Sequence, residues 1–330
     1  MEDRADARRE EGQTGPEPLE VGGPGNSEKA VSEAPGLQLH VSRIEHPEAE
    51  VDPIQKVLAK VGDLAALPQV VCQVIEGTDG EEACARKLEQ TILIDPGLSA
   101  KLLTQANSAY YALPNKVTSI REAVMFLGFR GVRQIAMAVG VFDMFLGKTD
   151  KESMRRRTWW RHSLDTAVMG RGMSEMVNGV TADEAYTCGL LHLIGKTILD
   201  RFNPVQYEKV QAVVDQGAPD ILAERAVFTC DHIAVAHAAA KMWGFPDVLV
   251  AGLDYFTPAR EPKPDDTLRA MTAFSSKVVK LIAQGKGFDE IGADQIPGWI
   301  LDSLNLTDNK VKALVKVGVD ALESASSLSL

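Results

Sequence analysis

Three histidines in this chain sit where an imidazole could do chemistry. His192 lies inside the apolar run Gly189-Leu-Leu-His-Leu-Ile-Gly-Lys196, with Lys196 one turn further on. His162 follows Trp159-Trp160-Arg161, and His232 follows Cys230-Asp231 at the start of another helical stretch. Imidazoles are common ligands of zinc, iron and copper, and three of them on separate helices could converge on one metal ion. Taken singly, a histidine in such a place is more often a core or capping residue with its own hydrogen bonds. Lys196 reads either as an ordinary helix lysine or as a phosphate-facing cation. Arg155, Arg156 and Arg157, with Arg161, form the one strong basic cluster, and Arg157 and Arg161 fall one turn apart on one helix face. They form either a solvated face paired with carboxylates or a patch for an anion or an acidic partner.

The elements that must position these groups read as helices. Asp95-Pro96 is an N-cap with proline at the first helical position, and Leu98, Leu102, Leu103 and Ala106 follow on one face. Ser119-Ile-Arg-Glu122 is a capping box ahead of Ala123, Val124 and Leu127, and Gly128 stops that helix. Further helices fit 130–146, 151–177, 182–202, 205–215, 221–229, 233–243, 247–255, 268–283 and 308–325, the last capped by Thr307. Sustained period-2 alternation and Asn-Gly hairpins are lacking, so an all-α fold is expected.

Composition narrows the function classes. About 45% of the 330 residues are hydrophobic, enough for a sizeable core. The formal net charge is -11, and residues 1–50 carry twelve Asp/Glu against five Lys/Arg. The body is thus mildly acidic and offers no positive footprint for nucleic acid. Residues 1–48, rich in Glu, Gly, Pro and Ser, are expected to be a disordered acidic tail. The longest apolar run, about residues 135–146, contains Asp143 and is too short to span a bilayer. The N-terminus lacks a signal-peptide pattern. The four cysteines, Cys72, Cys84, Cys188 and Cys230, form no C-x-x-C pair and read as small apolar side chains in a reducing compartment. A cytoplasmic protein without membrane insertion is expected.

Several motifs, in order, carry a resemblance. Gly189–Lys196 resembles the GLLHDIGK signature of HD-type phosphohydrolases. Leu67-Pro68, Asp95-Pro-Gly-Leu-Ser-Ala-Lys-Leu-Leu, Ala106-Asn-Ser-Ala109, Ile120–Gly128, Trp160-Arg-His-Ser163, Asp231-His232 and Trp243-Gly-Phe-Pro246 resemble the pattern of the HDOD branch of that superfamily. The resemblance covers about residues 60–258 and implies an HD-type helical domain. With a helical extension at each end, that domain is expected over 49–258, and 259–330 is expected as a C-terminal helical region packed on the same domain.

The departures from the pattern bear on function. In catalytic relatives a His-Asp pair ligates metal ions that activate water and clamp phosphate oxygens. Here Leu193 stands at the Asp position, and Tyr255-Phe256 aligns with a later His-His pair. His162, His192 and His232 remain as a partial set, without a carboxylate at a ligand position. Asp165 and Asp231 are near in sequence but off those positions. The expectation is therefore a non-catalytic signalling scaffold with no cofactor, acting on a protein partner as such modules do in bacterial signalling networks. Two alternatives stay open: a sensor of a small anion or nucleotide in the vestigial cavity, and an atypical metal-dependent phosphohydrolase.

Overall fold

The computed structural model describes residues 52–61, 69–77, 85–108, 111, 116–147, 149–255 and 266–325. All of them lie in the unit Ala49–Leu330; residues 1–48, Cys84 and Phe256 lie outside the described residues. Fifteen α-helices and a few 3-10 turns are found among the described residues, and no strand. The helices are α1 (Pro53–Val61), α2 (Gln69–Gly77), α3 (Ala85–Leu93), α4 (Pro96–Ala106), α5 (Ile120–Phe145), α6 (Asp150–Met173), α7 (Ala182–Leu191) and α8 (Ile194–Phe202). They continue with α9 (Pro204–Asp215), α10 (Asp220–Phe228), α11 (His232–Met242), α12 (Asp247–Gly252), α13 (Asp266–Ala283), α14 (Gly298–Ser303) and α15 (Asp308–Ser324). The all-α expectation holds.

Local chemistry accounts for most boundaries. The Asp95 carboxylate accepts from the Leu98 amide at 3.0 Å, Pro96 needs no donor partner, and Leu98 and Leu102 turn inward. At α5, Ser119 accepts from the Glu122 amide at 3.2 Å, while the Glu122 carboxylate reaches one residue beyond the expected box, to the Thr118 amide at 2.7 Å. Thr307 stands at the N-cap of α15 without a side-chain cap bond, so its expected role is not met by its hydroxyl. Asn107 does more than end α4. Its side chain donates to Val117 O at 2.8 Å and accepts from Val117 N at 2.7 Å, clipping the connection to α5 across ten residues.

Two apolar cores form. One joins α2–α5 through Val74, Leu88, Ile92, Leu98, Leu102 and their neighbours. The other joins α1 and α6–α15 through residues such as Leu164, Met169, Leu190, Ile198, Phe274 and Val315. Helix α5 lies between them: Val132, Ile135, Ala136 and Val139 face the first, and Met137, Val141, Met144 and Phe145 face the second. A helix buried on two sides is apolar nearly all round. That is why, among the described residues, Ile120–Phe145 passes the length and hydropathy test for a membrane span although 61% of its window is buried in the protein. The span is longer than the twelve-residue apolar run suggests. Gly128, with φ 68 and ψ 179, bends the chain where the sequence placed a stop.

Helix α6 is the central strut, packed against α5, α7, α13 and α15. The two motif glycines let their helices come close. A Cβ at Gly189 would lie 2.6 Å from Ala167 Cα of α6, and one at Gly195 would lie on the His232 carbonyl of α11.

Candidate functional site: a buried histidine cluster

The stretch 182–202, expected as one helix, is two. Helix α7 ends at Leu191, and α8 begins at Ile194. The reason lies in His192, whose Nδ1 sits 2.6 Å from Gly189 O, and in Leu193, whose backbone at φ -100 and ψ 6 leaves the helical region. The break turns the His192 ring into the interior, where it has no exposure. It meets His162 of α6 at a centroid distance of 5.3 Å and Tyr255 edge-on at 5.1 Å. Ser276 of α13 stands between the first two rings, its Oγ 3.2 Å from His192 Nε2 and 3.0 Å from His162 Nε2.

His232 enters from the start of α11, which Asp231 caps by accepting from the Ala234 amide at 2.9 Å. Its Nδ1 lies 2.5 Å from Glu224 Oε2, which also accepts from the His232 amide at 2.9 Å. Its Nε2 lies 2.8 Å from the Tyr255 hydroxyl. The other Glu224 oxygen accepts from Tyr207 Oη at 2.8 Å. A polar chain thus runs from Tyr207 through Glu224 and His232 to Tyr255, and Tyr255 packs on His192. The sequence placed no carboxylate with the histidines; the fold supplies Glu224 from α10, eight residues before His232 and outside any motif.

Burial sets the protonation of this cluster. It drives His162 down to about 4, helped by the Lys196 and Lys280 charges, and holds His192 well below the usual imidazole value. Burial raises the Glu224 carboxyl, but His232, through its charge and hydrogen bonds, more than offsets this and leaves it below the ordinary range. Tyr255 and Tyr207 are pushed well above the usual phenol value, first by burial and then by the Glu224 charge.

The expected basic groups are not gathered into one patch. Lys196 is buried and pairs with Asp220, so it is not an ordinary solvated lysine. Arg155 and Arg156 turn inward onto the fully buried Asp200, and Arg156 also donates to Leu146 O at 3.0 Å. Arg161 pairs with Asp165 at 3.0 Å, while Arg157 is exposed. The cluster divides because helix geometry points neighbouring residues about 100° apart, so a run of three arginines cannot share a face. Asp231 pairs with Arg225 at 2.7 Å.

The metal-hydrolase resemblance would require these residues to hold a metal ion. Leu193, at the position of the metal-binding carboxylate, is buried and has no lone pair. Both ring nitrogens of His192 and of His232 have partners within the chain, and so does His162 Nε2. Among the described residues, no three His, Cys, Asp or Glu side chains come together as a metal-holding group. The residues present do not fit a metal ion. Cys188 and Cys230 are free and buried, and burial raises both thiols.

A model of the HDOD domain family matches residues 64–257, more than half of the chain. A curated, uncharacterized protein of Treponema pallidum (strain Nichols) is 21% identical over 239 residues, or 70% of this chain and 45% of that protein; the chain spans less than half the length of this relative. Among solved structures, a candidate phosphohydrolase of Shewanella amazonensis SB2B is 24% identical, covering 83% of this chain and 98% of its own, with a TM-score of 0.66. An HDOD domain protein with unknown function from Geobacter sulfurreducens is 23% identical, covering 82% and 97%, with a TM-score of 0.65. A candidate signal transduction protein from Marinobacter aquaeolei VT8 is 19% identical, covering 84% and 66%, with a TM-score of 0.62. At these identities the likeness is one of fold.

Proposed function

The chain belongs to the HDOD domain family, and on that premise we propose that it is a non-catalytic regulatory module that works by binding a protein partner in the cytoplasm. The observation that carries this reading is the histidine cluster beside Leu193, in which both ring nitrogens of His192 and His232 and Nε2 of His162 already have partners. A hydrolase of the HD type needs a carboxylate and open ligand positions to bind metal and activate water. Here the carboxylate position is aliphatic, and the imidazoles are bonded to Gly189, Ser276, Glu224 and Tyr255. The anion-sensor alternative draws less support, because Lys196, Arg155, Arg156 and Arg161 are already paired with Asp220, Asp200 and Asp165. A regulatory role needs only a stable helical body that presents surfaces, and the two cores provide one.

The test is an assay of the purified full chain with manganese, magnesium or iron against nucleotides, cyclic dinucleotides and a generic phosphodiester. No turnover is expected. Turnover abolished by His192→Ala would overturn the reading. Capture from native cytosol, with and without residues 1–50, then asks which part of the chain holds the partner.

A further inference from the structure

The hydrogen-bond directions at the histidine cluster can be read from chemistry. A carbonyl oxygen only accepts, so His192 Nδ1, facing Gly189 O, carries a proton. The buried ring is neutral, which leaves a lone pair on Nε2. Ser276 must therefore donate its hydroxyl proton to His192 Nε2. A hydroxyl has one proton, so Ser276 Oγ accepts from His162 Nε2, and His162 is the Nε2–H tautomer. On the other side, the Glu224 carboxylate accepts the proton of His232 Nδ1, and His232 Nε2 is paired with the Tyr255 hydroxyl, which fills that position whichever of the two donates.

Metal-binding histidines are usually held in this way. One ring nitrogen donates to a carbonyl or carboxylate, and the other aims its lone pair at the ion. His192 and His232 keep that orientation, but in each the ring nitrogen that would face an ion ends on a hydroxyl group. We infer that the Ser276 and Tyr255 hydroxyls stand where a metal ion would meet His192 and His232, closing the cluster to divalent cations. The metal's crosslinking role passes to hydrogen bonds that tie α6, the α7–α8 break, α10, α11, α13 and Tyr255, three residues past the end of α12, into one junction. Ser276 serves one half, His162 with His192; Tyr255 serves the other, His232. The inference does not depend on a partner: a chain that regulated nothing would have the same junction.

The experiment is long-range proton–nitrogen NMR of the imidazole rings in the tag-free full chain near neutral pH, with and without excess zinc. His192 is expected as the Nδ1–H tautomer, His162 as Nε2–H, and His232 with a proton on Nδ1, with all three unmoved by zinc. Ser276→Ala should change the tautomer balance of His162 and shift His192 Nε2, whose ring keeps Nδ1–H on Gly189 O, and spare His232. Tyr255→Phe should shift His232 Nε2, which loses its hydroxyl partner, while Glu224 keeps the proton on Nδ1, and should spare His162. An Nε2–H form of His192 in the unaltered chain, or zinc binding that shifts these ring nitrogens, would overturn the inference. The measurements on the unaltered chain decide the matter even if a variant fails to fold.

Discussion

Around Leu102 the chain buries branched aliphatic side chains against one another; around His192 it buries imidazoles, carboxylates and guanidinium groups. Of the buried polar side chains among the described residues, Gln105 and Gln134 precede residue 146, and all the others follow it, including Arg156, Lys196, Asp200, Glu224 and His232. The difference shows two ways to hold helices. The α2–α5 core rests on area removed from water, roughly 25 cal/mol per Å², and tolerates small shifts. The histidine half depends on partners: a buried charge without its mate costs far more than the pair contributes.

That contrast can be broken by removing one group from each half. Asp200→Ala should have the largest effect, because it removes the carboxylate to which the part-buried Arg155 and the buried Arg156 are both paired, leaving Arg156 only Glu152 and Leu146 O. A loss of about 4 kcal/mol is expected in urea unfolding. A loss under about 1 kcal/mol would mean that the guanidinium groups reach water, and the contrast would fail. In the apolar half, Leu102→Ala should cost about 3.5 kcal/mol, since the side chain is fully buried and its neighbours collapse only in part. An unchanged m-value in the same measurement would show that the lost stability comes from packing alone.

Acid sharpens the comparison, because it acts through groups that the α2–α5 core lacks. The folded-state value of His162, about 4, lies below that of the free side chain, so the unfolded chain binds the proton first. The stability this group contributes is therefore fully present above about pH 6.5 and is lost as pH falls toward 4, with His192 acting in the same direction. Its share is roughly 3 kcal/mol. Thermal melts from pH 7 to 4.5 should show a steady fall in Tm. A flat profile would mean that the cluster is hydrated or already charged. The smallest effect is that of a helix cap: Ser119→Ala should lower stability by about 1 kcal/mol, read by the same melts.

The two halves also differ in how far they can be read from sequence. Asp95-Pro96, Ser119 and the periodic leucines act within a few residues, so spacing alone places them. The histidine cluster is assembled over long separations. Ser276 lies 84 and 114 residues from the imidazoles it joins, and Asp200 lies 44 and 45 residues from its arginines. No periodicity links such positions. Glu224 and Asp220 lie in ordinary-looking helical stretches, so sequence reasoning passed over both. The motif itself was legible, but its residues are held for unlike reasons: Gly189 and Gly195 by close helix contacts, His192 by Gly189 O and Ser276, and Lys196 by Asp220. Position 193 alone in that octet speaks directly about metal chemistry.

The placing of α5 between the two cores has a consequence for how the molecule comes apart. With Val132 and Ile135 in one core and Val141 and Phe145 in the other, neither half can open without baring a face of the helix it shares. Opening events are thereby coupled, and the amide protons at the middle of α5 should be among the last to exchange with deuterated solvent, at a rate set by global rather than local unfolding.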